Sequence, residues 1–175
     1  MSDLRYSLVQ LNQLSDADAA FAFSNCCTAQ RWIEGMVAAR PFSSKEQCLQ
    51  AAEQVWAKLD EADYLQAFEG HPKIGDVSSL KAKYAHTKEL ASGEQSSVNE
   101  ACDEVIERLA QGNHEYHKKN GFIFIVCATG KSAAEMLELL EQRLPNSREQ
   151  ELVNAAAEQA KITAIRLNKL LPEEA

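Results

Sequence analysis

The sequence predicts an all-α fold: a single domain over residues 1–175, with about eight helices and one short extended segment near 121–127. Three observations carry this. Ser15, Ser44, Ser132 and Ser147 are each followed three residues later by an acid or an amide (Asp18, Gln47, Glu135 and Gln150). In that arrangement the serine and its partner satisfy the unpaired N–H groups of a starting helix. Pro41, Pro72 and Pro145 fall between periodic segments and not inside them. Only Gly121-Phe122-Ile123-Phe124-Ile125-Val126-Cys127 is a short apolar run rich in β-branched and aromatic residues, which on propensity reads as a strand. No low-complexity linker or repeat divides the chain.

Taken in order, Ser15 opens a helix over 15–25. A second covers 28–38 and stops before Pro41, and Ser44 starts a third over 45–58. The segment 61–68 ends short of Pro72, 78–90 follows, and Ser92-Gly93 precedes the longest helix, 94–118. Ser132 starts 133–144, which ends at Pro145, and Ser147 starts the last helix, 148–171. A lone strand at 121–127 has no ladder partner, so its backbone groups need other work. It reads either as a buried connector or hairpin edge, or as an extended wall offering N–H and C=O groups to a planar polar ligand.

The last helix has a distinctive pattern. Val153, Ala157, Ala160, Ala164, Leu167 and Leu171 recur alternately four and three apart, which predicts one buried stripe. Leu152, Ala155 and Leu170 widen that arc, and Gln159 and Arg166 fall inside the widened part. Asn154, Glu158, Lys161, Asn168 and Lys169 hold the polar face. A guanidinium on an apolar arc is costly unless something anionic meets it. Arg166 therefore reads either as half of a structural ion pair or as an anion-binding group.

Composition narrows the function classes. With 18 Lys and Arg against 26 Asp and Glu, the net charge is -8, which leaves no electrostatic footprint for nucleic acid. The opening MSDLRYSLVQLNQL lacks the basic and apolar blocks of a signal peptide, no apolar run reaches the length of a membrane span, and the ending LPEEA is not a peroxisomal address. A cytoplasmic protein is the expectation. Cys26, Cys27, Cys48, Cys102 and Cys127 form no C-x-x-C pair and read as reduced packing residues.

The chemistry concentrates in Gly70-His71-Pro72-Lys73-Ile74-Gly75-Asp76. Proline bars the residue before it from helical geometry, so His71 is presented on a stiff loop, where an imidazole can transfer protons near neutral pH. It also fits a loop histidine that caps a helix. Glu94-Gln95 begins the long helix, where outward N–H groups favour a carboxylate; it reads as a capping acid or as a ligand acceptor that stays ionised. Thr129-Gly130-Lys131-Ser132 lacks the leading glycine of a phosphate loop, because Ile125 stands there. His114 and His117 have no third ligand at a metal spacing and read as a solvated face, so no metal site is expected. A Cys127–His71 nucleophile pair has no local signature.

Together these pieces resemble the 2-oxo-4-hydroxy-4-carboxy-5-ureidoimidazoline (OHCU) decarboxylases of urate breakdown. The resemblance runs from Leu11-Asn12 through Arg31-Trp32, Arg40-Pro41-Phe42 and the HPKIGD loop, then Glu94-Gln95, Asn113 and Tyr116. It continues through Gly121 to Ile125, Arg143-Leu144 and Asn146, and ends at Arg166-Leu167. It implies an all-α carboxy-lyase without a cofactor, acting on OHCU to form S-allantoin, and a homodimer. It implies His71 and Glu94 as catalytic residues. Pro72, Gln95 and Arg166 are implied as substrate-binding, with backbone contacts from Phe124 and Ile125. Ala91 stands where the family usually has a serine.

Overall fold

The computed structural model describes residues 4–71, 96–127 and 131–172, with side chains in the middle span from Asp103 onward. Among these residues the chain is all-α, with eight helices and no strand. They are α1 (Leu8–Gln13), α2 (Asp16–Ser24), α3 (Gln30–Ala39), α4 (Lys45–Ala57), α5 (Glu61–Glu69), α6 (Ser96–Asn120), α7 (Ala133–Arg143) and α8 (Arg148–Leu170). All four expected serine caps are used. Ser15, Ser44 and Ser132 accept from the backbone of Asp18, Gln47 and Glu135, and Ser147 accepts from Gln150 at 3.1 Å.

Helix α1 is absent from the sequence reading. It has 6 residues, too few to display a 3.6-residue period, yet Ser7 and Gln10 form the same reciprocal cap that marks other starts. The helix expected over 78–90 lies outside the described residues. Gly121 ends α6 at φ 81°, a left-handed conformation open to glycine. Residues 121–127 then run without regular structure or ladder, as a connector between α6 and α7.

The chain forms two compact units, Met1–His71 with Ala156–Ala175, and Pro72–Ala155. In the first, α3 packs against α2, α4 and α5. Both buried tryptophans satisfy their indole N–H: Trp32 donates to Ala52 O at 3.2 Å and Trp56 to Ala156 O at 3.0 Å. Asn12 clasps the backbone of Phe42 in both directions, each bond 2.9 Å. Arg40 Nη1 donates to Leu11 O at 2.9 Å and Leu14 O at 2.8 Å, closing the end of α1. Two of the short motifs behind the resemblance therefore work as a structural clasp. Cys26, Cys27 and Cys48 are buried, in keeping with packing residues. In the second unit α7 packs on α6 at Gly112, where a Cβ would come within 2.6 Å of Leu140 Cδ2.

The expected stripe of α8 needs correction. Val153 is 63% exposed and Ala157 is exposed, so the stripe fails in its N-terminal half. The buried positions are Glu151, Ala155, Gln159, Thr163, Leu167 and Leu170, with Ala156 beside them. Steps of four residues advance about 40° around a helix, so this seam spirals along α8 and is not a straight band. Three of its members are polar. They are buried because each has hydrogen-bond partners, which hydrophobic periodicity does not register.

Candidate active site

His71 follows Gly70, the residue that caps the end of α5. Its N–H bonds back to Phe68 O at 3.1 Å, which holds the start of the loop against the helix end. Gly70 allows a close approach to Thr28: a Cβ there would lie 2.2 Å from Thr28 Oγ1, which itself donates to Gln66 O at 3.1 Å. Gly70→Ala is expected to destabilise the protein by about 1–3 kcal/mol through overpacking. A urea midpoint equal to that of the parent would refute this.

The half-buried His71 ring meets the fully buried Gln159, with Nε2 2.5 Å from Oε1. Gln159 Nε2 donates to Thr163 Oγ1 at 3.0 Å, and Thr163 lies within hydrogen-bonding reach of Cys27. Arg166, one turn further along α8, is close enough for its charge to act on His71, Cys26 and Cys27. Burial lowers the His71 pKa below its ordinary value; the Gln159 bond opposes this and the Arg166 charge adds to it. The net result favours neutral imidazole. Burial also pushes the Cys26 and Cys48 thiols up to about 12, so neither is a ready nucleophile.

Arg166 is half-buried. Among the described residues Nη1–H reaches Cys26 O at 3.4 Å and no carboxylate pairs with the guanidinium. A groove of about 640 Å3 opens beside it, lined by Leu4, Arg5, Asn25, Cys26 and Lys169. Three basic side chains thus face one groove on a chain of net charge -8.

Phe124 and Ile125 belong to the second unit, where both are buried. Arg143 organises them. Its Nη1 donates to Ile125 O at 2.6 Å, and its guanidinium lies 4.7 Å from the centre of the Phe124 ring. Tyr116 packs edge-on against Phe122 and Phe124. Arg143 is held in turn by Glu151, which is 0% exposed and accepts from Arg143 Nε at 2.8 Å, Tyr116 Oη at 2.5 Å, Asn146 at 2.8 Å and Asn154 at 2.7 Å. Burial alone would raise the Glu151 pKa, but the donors outweigh it and the carboxyl lies below its ordinary range. The Ile125 carbonyl is thus committed to Arg143. The N–H groups of Phe124 and Ile125 have no acceptor among the described residues.

The structure brings His71 and Arg166 together, and sets Phe124 beside Ile125 in the other unit. Pro72, Glu94 and Gln95 lie outside the described residues. Sequence reasoning passed over Gln159 and Glu151 as site-building residues. For Gln159 the signal was present, an amide inside an apolar arc. Among the described residues no cluster of three or more His, Cys, Asp and Glu side chains could hold a metal ion, and no helix is long and apolar enough to cross a membrane.

A family model described as OHCU decarboxylase matches residues 12–168. The chain is 34% identical over 151 residues to the uric acid degradation bifunctional protein TTL of Arabidopsis thaliana, covering 86% of this chain and 46% of that protein. The chain therefore spans about half the length of that curated relative. It is 25% identical over 167 residues to the 2-oxo-4-hydroxy-4-carboxy-5-ureidoimidazoline decarboxylase of Halalkalicoccus jeotgali, covering 95% and 92% of the two chains. A crystal structure of OHCU decarboxylase in the presence of (S)-allantoin matches with a TM-score of 0.69 at 32% identity, over 91% of this chain and 100% of that one. A crystal structure of (S)-allantoin synthase shares the fold, with a TM-score of 0.68 at 18% identity over 95% of this chain and 54% of that one.

Proposed function

The chain belongs to the OHCU decarboxylase family, and we propose from this that it removes carbon dioxide from OHCU and protonates one face of the ring to give (S)-allantoin in urate breakdown. The observation that carries the reading is a half-buried, neutral-leaning imidazole at His71 with the Arg166 cation beside it.

The chemistry suits such a pair. Loss of carbon dioxide leaves an electron pair on a ring carbon, and the conjugated ring C=N can absorb it, so the substrate serves as its own electron sink. What remains for the protein is to orient the carboxylate, stabilise developing charge, and deliver one proton to one face. His71 handles proton transfer at the hydroxyl-bearing carbon. Arg166 holds an anionic or carbonyl oxygen. Glu94 orients the ureido or ring N–H groups, Gln95 reads neighbouring polar groups, and Pro72 takes part in binding the substrate. Backbone groups of Phe124 and Ile125 contact polar groups of the substrate.

The test uses OHCU freshly generated from urate by the two preceding activities. Ultraviolet loss of OHCU is followed together with the optical activity of the allantoin formed. Accelerated loss with one-handed product supports the reading. Loss at the uncatalysed rate with racemic product removes it, and leaves a ligand-binding domain on the family scaffold.

A further inference from the structure

We propose that Gln159 is a positioning residue that holds His71 in the tautomer protonated on Nε2, leaving Nδ1 as the nitrogen that exchanges a proton with substrate. This rests on His71 being the proton-transfer group of the reaction proposed above.

The inference comes from following hydrogens along a buried chain. The Thr163 hydroxyl lies within hydrogen-bonding reach of the Cys27 thiol. A hydroxyl can both donate and accept, and here the Thr163 oxygen accepts. Gln159 meets it with its NH2 group, Nε2 to Oγ1 at 3.0 Å. An amide carries its donor and acceptor at opposite edges, so Oε1 must face the other way, toward His71 Nε2 at 2.5 Å. A carbonyl oxygen only accepts, and so the hydrogen in that contact belongs to His71 Nε2. In a neutral imidazole the lone pair is then on Nδ1.

Burial keeps this order in place. Gln159 is 0% exposed and Thr163 is 5% exposed, so water cannot readily replace a lost partner. The Thr163 hydroxyl has no role in decarboxylation, yet by accepting from the amide it sets which nitrogen of the imidazole is free. Arg166 is the charged group whose field acts on the ring from α8; it disfavours the imidazolium but does not select between tautomers.

The test is long-range 1H–15N correlation on the full chain at neutral pH, with the His71 resonances identified by their absence in His71→Ala. The expected parent spectrum is that of an Nε2–H imidazole. Gln159→Leu, which removes the acceptor, should move the two ring nitrogens toward the averaged shifts of mixed tautomers. It should also lower kcat about 10- to 100-fold, the scale of losing an orienting partner of a functional histidine, with KM little changed. Thr163→Val should shift the spectrum in the same direction and remains informative where Gln159→Leu fails to fold. A parent spectrum of the Nδ1–H form, or one unmoved by either variant, overturns the proposal. The spectrum is read without substrate, so a protein that shows the Nε2–H tautomer but does not turn over OHCU would refute the reaction and not the tautomer.

Discussion

His71→Ala is expected to lower the rate of OHCU decarboxylation about a thousandfold, the range set by loss of a positioned proton-transfer group, with the circular dichroism and urea midpoint close to those of the parent. The ring is half-buried and its one side-chain partner among the described residues is Gln159, so truncation removes chemistry more than packing. The product should lose its handedness as the uncatalysed reaction takes over. Near-normal turnover would sink the assignment.

The pH profile adds an independent check. His71 has its folded pKa below the ordinary 6.5 because burial disfavours the charged ring, with the Arg166 charge acting in the same sense. The neutral form therefore persists below the usual histidine range. With neutral His71 as the working form, kcat/KM should stay level as the pH falls through 6.5 and drop only at more acid values. The stability linkage has the same sign. Between the lowered folded pKa and 6.5 the unfolded chain binds more protons, so this histidine makes folding less favourable as pH falls across that window. In Arg166→Gln the acid limb should move toward 6.5. A limb that does not move would show that the guanidinium does not act on the ring.

The second large effect is on stability. Glu151→Gln should destabilise the protein by about 3–5 kcal/mol, because a buried Arg143 would lose its counter-charge. The urea midpoint should fall with the slope of the transition unchanged. The pair is compact: Glu151 is fully buried, the Arg143 side chain is 12% exposed, and each has further hydrogen-bond partners. Replacing both with apolar residues of similar volume, Glu151→Leu with Arg143→Met, should recover part of the loss. KM should still rise in the double variant, since nothing then holds the Ile125 carbonyl. The Glu151 carboxyl titrates below its ordinary 4.5, so its contribution is present above that value and is lost as the pH falls through the folded pKa. A loss under about 1 kcal/mol in Glu151→Gln would show that the carboxylate does not carry the clamp.

Much of this protein was legible in local sequence because the signals are themselves local. A serine three residues before an acid or amide satisfies a helix start wherever it occurs, and each such pair became a real cap. The same rule applied to Ser7 and Gln10 would have found α1, which was missed because 6 residues show no period. The placement of His71 before Pro72 follows from adjacent residues alone. Arg166 was marked by its cost, a cation on an apolar arc, and it lies half-buried beside His71 with no described carboxylate.

By itself the sequence determined the helical class, most helix starts, the family, and two of the residues proposed to act on substrate, His71 and Arg166. Only the tertiary structure decided which face of α8 is buried and what holds the site. Glu151 is buried because Tyr116, Arg143, Asn146 and Asn154 converge on it, and Gln159 because His71 and Thr163 take both ends of its amide. His71 is 88 positions from Gln159, and Tyr116 is 35 from Glu151. A buried polar group is stable only when its partners are in place. Two of those partners, His71 and Tyr116, are remote in sequence, and none of the six registers in hydrophobic periodicity, so periodicity assigned the early buried stripe to Val153 and Ala157, while folding placed it on the side chains with hydrogen bonds to make.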